Sequence, residues 1–184
     1  MLKKLILFYI LLTIVIGSLP LLAEKAESES VIGKTLPQIE GEILSGSETP
    51  LPHGKATLLL IGFEKNCIPY VREWLTSIRK EKLLPNTIDL YTVPVLGDSW
   101  QARLCESLVI EMLKKKVPRK EQPQVYVAKG MKQKLKEFFG VHPKKAHDFY
   151  VVLIDSKGKV RWQFSGKMNS KAKNSLKQAV SKVR

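Results

Sequence analysis

At 184 residues the chain is long enough for one ordinary domain with a real hydrophobic core and too short for two. Hydrophobic residues make up 44% and charged residues 26%, a balance that excludes wholesale disorder, and no repeat at a solenoid period is present. The formal net charge of +14 favours anionic lipid, cell-wall polymer or an acidic protein as contacts. The lysines are dispersed with no aromatic-interleaved basic stripe, which argues against nucleic acid and also fits a plain solvated surface.

The chain opens Met-Leu-Lys-Lys, followed by a nearly unbroken apolar run over residues 5–22. Lys3 and Lys4 supply a positive n-region, residues 5–16 an apolar h-region, and Gly17, Ser18 and Pro20 break the helix before a candidate cut after Ala23. Residues 1–23 are therefore expected to be a signal peptide or, since the run approaches the length of about 20 residues that spans a bilayer, a retained anchor. In both cases the basic N-terminus stays cytoplasmic and the rest crosses. The expected location is periplasmic, or anchored to the outer face of the cytoplasmic membrane. Without residues 1–23, 29 cations and 17 anions leave +12 on the exported part.

Residues 24–31 read as a polar linker and 32–184 as the domain. Residues 56–63 (ATLLLIGF) form a continuous apolar run, the pattern of a strand buried on both faces. Ile68, Val71, Leu75 and Ile78 then recur at helical spacing, with Pro69 acceptable in the first turn. Residues 87–96 predict a second buried strand with Pro94 near its end. Trp100, Leu104, Leu108 and Met112 predict a second amphipathic helix, closed by Lys114, Lys115, Lys116 and Pro118. Residues 124–128 read as a short strand, and Met131, Leu135, Phe138 and Phe139 as a brief helix ending at Gly140.

Residues 149–154 and 159–164 are two strands joined by Asp155-Ser156-Lys157-Gly158, a hairpin with glycine available for a left-handed position. Val160, Trp162 and Phe164 alternate with Lys159, Arg161 and Gln163, predicting one buried and one wet face. Ala172, Leu176, Ala179, Val180 and Val183 mark a final helix. This order requires an α/β fold: a mixed central sheet with helices on both faces, closed by an antiparallel hairpin and a helix.

The stretch Val31-Ile32-Gly33-Lys34-Thr35-Leu36-Pro37, the strand leading to Cys67 at a helix start, and the closing hairpin together resemble the thioredoxin-like superfamily, with a core of peroxiredoxin or thioredoxin-like reductase type. The resemblance covers residues 31–183. The ending, in which Val160-Arg161-Trp162 and Gly166 follow residues 150–155, is similar to the mitochondrial ATP-synthase assembly-factor family, whose members have a thioredoxin-like core. The departures from the superfamily's pattern bear on chemistry. The active site of thioredoxins is Cys-x-x-Cys, and this chain reads Cys67-Ile68-Pro69-Tyr70. Phe149 stands near the place of the superfamily's cis-proline, and Glu64 where a peroxiredoxin carries threonine. Exchange by two cysteines is therefore not available at this position.

Cys67 is the residue singled out for covalent chemistry. A helix N-terminus and Lys65 would favour its thiolate, and Glu64 opposes both. The plainer reading, a vestige packed against the sheet, is favoured by the loss of its partner. Cys105, beside Leu104 and Leu108, reads as a small buried hydrophobe mid-helix or, by resemblance to some peroxiredoxins, as a resolving cysteine. His147 lies at the interval from Asp155 at which copper-delivering proteins of this fold keep a metal histidine. Their second cysteine is replaced here by Val71, and one Cys with one His is too few ligands. His53 and His142 carry no spacing signal, Trp74 and Trp162 read as core, and no phosphate loop, catalytic triad or carboxylate pair points to a cofactor. The expected function is that of an exported accessory protein of the cell envelope, binding a partner protein in a membrane complex under assembly. A monothiol oxidoreductase or peroxidase using Cys67 is the alternative, and a copper carrier the third.

Overall fold

A computed structural model describes residues 30–46, 50–141 and 149–183. The expected leader at 1–23, most of the expected linker, His142 and His147 lie outside the described residues. The strands are β1 (Gly41–Ile43), β2 (Thr57–Gly62), β3 (Asp89–Pro94), β4 (Tyr126–Ala128), β5 (Phe149–Ile154) and β6 (Val160–Ser165). The helices are α1 (Ile68–Lys80), α2 (Trp100–Leu104), α3 (Glu106–Lys116), α4 (Lys132–Phe138) and α5 (Ser170–Lys182).

β2 is central because its sequence leaves no polar face. Leu58, Leu59, Leu60 and Ile61 are all fully buried, each contributing about 1.5–3 kcal/mol by its removal from water. It pairs in parallel with β3 and antiparallel with β5, and β5 pairs antiparallel with β6, giving the order β3-β2-β5-β6. β1 and β4 form a separate antiparallel ladder, joined to the β3 edge by parallel bridges at Thr92–Val125 and Val95–Ala128.

The alternation of β2 and β5 builds two cores. Leu59, Ile61, Val152 and Ile154 face α4 and the N-terminal segment, packing with Leu135, Phe139, Val31 and Leu36. Leu58, Leu60, Val151 and Leu153 face α1 and α5, packing with Trp74, Ile78, Leu176 and Val180. α5 is capped by Asn169, whose Oδ1 accepts from the Ala172 N–H at 2.8 Å. Trp74 and Trp162 are core, meeting edge to face at 6.1 Å, and Trp74 Nε1 donates to the Gly166 carbonyl at 3.0 Å.

Four expectations are corrected. Val31, placed in the polar linker by the sequence, is fully buried and packs in the first core. Cys105 is exposed rather than buried, and sits at the junction of two helices rather than inside one. The apolar stripe of that helix pair faces outward: Trp100, Leu104, Leu108 and Met112 are 68%, 70%, 65% and 50% exposed. The opposite side carries the packing. Ile110 meets Leu44, Val125 and Val127, and Glu106 is tied to Lys129 at 2.8 Å. Burial alone would lower the Lys129 pKa, but Glu106 and Glu42 outweigh it and raise it. Finally, β6 does not keep one buried face. A register shift opposite Leu153 and Ile154 leaves Arg161 unmatched, so Val160 joins the first core and Trp162 the second.

Candidate functional site

The end of β2 delivers the chain into Phe63 and Glu64, then a 3-10 turn over Lys65–Cys67, and α1 follows directly. Cys67 is thus at the start of α1, where the sequence places it, and Pro69 occupies the first turn. The thiol does not face solvent. Cys67 is 3% exposed and packs into the core formed by Leu58, Leu60, Trp74 and Phe149. Its side chain lies over the end of β2: a Cβ added at Gly62 would be 3.4 Å from Cys67 Cβ and 3.9 Å from Sγ. Sγ donates to Asn66 Oδ1 at 3.5 Å.

Glu64, expected to oppose a thiolate, is engaged elsewhere. Its carboxylate meets Lys132 Nζ at 2.6 Å. Lys132 opens α4, whose first turn is capped by Asp98: Oδ1 accepts from the Lys132 N–H at 2.9 Å and Oδ2 from the Gln133 N–H at 2.6 Å. Lys136, one turn on, stands 5.8 Å from the centre of the Phe63 ring. The loop carrying the cysteine is therefore pinned to α4 on one side.

On the other side two of the three departures from the superfamily pattern touch. Tyr70 stacks on Phe149, with centroids 6.0 Å apart and planes 25° from parallel. Phe149 is fully buried and pairs across the sheet with Gly62, the strand end over which Cys67 packs. Cys67, Tyr70, Phe149 and Gly62 thus form one packed group at the end of β2. The sequence marks Tyr70 and Phe149 separately, and their contact across 79 positions carries no local signal.

The structure does not bring Cys105 and Cys67 together in a disulfide. Cys105 is an exposed thiol on the outer side of the α2–α3 pair. Among the described residues no three His, Cys, Asp or Glu side chains group as metal ligands. Among them, too, no helix is long and apolar enough to cross a membrane.

These features define a thioredoxin-like protein whose cysteine site has one thiol, buried and walled by aromatic rings. The model of the ATP10 protein family matches residues 64–183, and the chain belongs to that family. None of the curated proteins matches it. Among solved structures it is similar to the exposed lipoprotein thioredoxin Etrx1 of Streptococcus pneumoniae, at 20% identity over 79% of this chain and 98% of that one, with a TM-score of 0.51. It is also similar to the reduced 2-Cys peroxiredoxin of Plasmodium vivax, at 16% identity over 83% and 96%, with a TM-score of 0.50. At these identities the likeness carries the thioredoxin-like fold and nothing about chemistry.

Proposed function

We propose that the chain is an exported accessory protein of the cell envelope that binds a partner protein while a membrane complex is assembled, and that its Cys-Ile-Pro-Tyr site is degenerate. The observation that carries this reading is the Tyr70–Phe149 stack. One aromatic stands in the place of the second thiol and the other near that of the substrate-seating proline, in a chain of the ATP10 assembly-factor family. A fold kept whole while its exchange chemistry is lost serves binding. The apolar leader at 5–22 supports the export part of the reading, and the surplus of cations supports an acidic partner or membrane face.

The test is complementation in a strain lacking the gene. The Cys67→Ser chain is expected to restore assembly of the membrane complex, and the tagged full chain to co-purify with a subunit of that complex with or without reductant. A folded serine variant that fails to restore assembly would overturn the reading in favour of the second one, a monothiol enzyme using Cys67 with Cys105 as its resolving partner. That alternative draws on the position of Cys67 at a helix start.

A further inference from the structure

We propose that the outward face of α2 and α3 docks on an anionic lipid surface. The inference rests on the reading above only in taking the domain to be held at a membrane face. Trp100, Leu104, Leu108 and Met112 recur every four residues and are the large apolar side chains that this helix pair leaves to solvent. The break at Cys105 does not scatter them. The Cys105 N–H bonds to the Gln101 carbonyl at 3.2 Å and the Val109 N–H to the Cys105 carbonyl at 3.0 Å, so the bonding of each helix runs up to Cys105, the residue at which the two meet. The result is a ridge about 18 Å long, twelve residues at the helical rise, with tryptophan at one end.

Charge identifies the occupant. Residues 100–120 hold six cations, Arg103, Lys114, Lys115, Lys116, Arg119 and Lys120, against two acids, Glu106 and Glu111. Glu106 is already neutralised by Lys129 at 2.8 Å. Lys115 follows Met112 by three positions and Leu108 by seven, which continues the ridge in positive charge. Apolar side chains with tryptophan on one face and lysines alongside are what a helix lying in the headgroup layer of an anionic bilayer requires. The tether favours the same occupant. The polar segment 24–30 between the apolar run and buried Val31 has seven residues, which reach at most about 25 Å, so a retained leader would keep the domain beside the bilayer.

The chain provides its own probe. Of its three tryptophans Trp74 is 0% and Trp162 8% exposed, so Trp100 at 68% reports the ridge. The full chain would be reconstituted in vesicles of phosphatidylcholine alone or mixed with phosphatidylglycerol, each doped with brominated lipid. We expect quenching in the mixed vesicles of the emission component that Trp100→Phe removes. This quenching should weaken with added salt and disappear in the Leu104→Ser/Leu108→Ser double variant, whose thermal unfolding should match that of the parent. Aqueous acrylamide quenching Trp100 while brominated lipid does not would overturn the proposal, as would equal lipid quenching in the neutral vesicles. Capture of a protein rather than lipid by a photo-crosslinker on Cys105 in native membranes, with lipid quenching absent, would overturn it in favour of a protein occupant. Lipid quenching reads the contact itself, so its failure leaves the complementation result untouched, and the reverse also holds.

Discussion

Tyr70 and Phe149 lie ring against ring, 6.0 Å between centroids, beside a cysteine that is 3% exposed. Tyr70 is the third residue after Cys67, where a Cys-x-x-Cys sequence has its second thiol, and Phe149 stands near the place expected for the cis-proline. In this chain that end of the sheet is filled by packed side chains.

The first consequence is chemical. A thiolate must be reached to react, so iodoacetamide at neutral pH is expected to alkylate exposed Cys105 and to leave Cys67 unmodified until the chain unfolds. Peptide mass mapping across a urea series would show this. Equal labelling of both cysteines in the native protein would contradict the packing described here.

The aromatic pair should also register in stability. Phe149→Ala removes a fully buried ring and is expected to cost about 3–5 kcal/mol. Tyr70→Ala, at a half-buried site, should cost less. Their coupling in a double-mutant cycle should be about 0.5–1.5 kcal/mol, the increment an aromatic pair adds beyond its buried area. Urea unfolding of the four proteins measures it, and additive losses would mean that the rings do not interact.

Asp155 organises the turn of the closing hairpin. Its Oδ1 accepts from the N–H groups of Lys157 and Lys159, both at 2.9 Å, and its Oδ2 meets Arg161 at 2.8 and 2.7 Å. Burial alone would raise its pKa; the Lys159 N–H, the Arg161 side chain and the Lys157 N–H together hold it below the ordinary value. The folded pKa is thus lower than the unfolded one, so this contribution is present above about pH 4 and is lost as pH falls through the folded value. Asp155→Asn is expected to lower stability by about 1–3 kcal/mol at neutral pH. Unfolding of the two proteins from pH 7 to pH 2 should show the gap closing at the acid end.

Two glycines should respond unequally to alanine. A Cβ at Gly41 would collide with the Val127 carbonyl, which the β1–β4 ladder holds in place, whereas one at Gly62 would make only an ordinary contact with Cys67. Gly41→Ala is expected to cost about 1–3 kcal/mol and Gly62→Ala less than about 1 kcal/mol, read from thermal unfolding.

Much of this fold is legible in the sequence because its elements announce themselves by composition. The LLLI run of β2 has the pattern of a central strand, and Ala172, Leu176 and Val180 that of one face of a helix. The helix pair at 100–116 shows where such patterns stop. It carries a clean apolar stripe, but also Ile110 and Leu113 on the other side. Periodicity locates a stripe without saying whether protein or something else covers it; here a salt bridge at Glu106 and the β1–β4 ladder decide. At the cysteine, the missing second thiol is readable from one position, whereas the burial of Cys67 depends on Gly62 and Phe149, brought together by strand pairing.

The register shift in β6 has a consequence for how the molecule opens. Val160 and Trp162, two residues apart, are rooted on opposite sides of the sheet, and Gly33 and Lys34 bond to the backbone of Val160. Peeling the edge strand away would therefore strip both layers of a contact at once, with no intermediate in which one layer stays sealed. The edge is locked into the cooperative unit of the domain, and its amides should exchange with solvent water at the rate of whole-domain unfolding rather than by fraying.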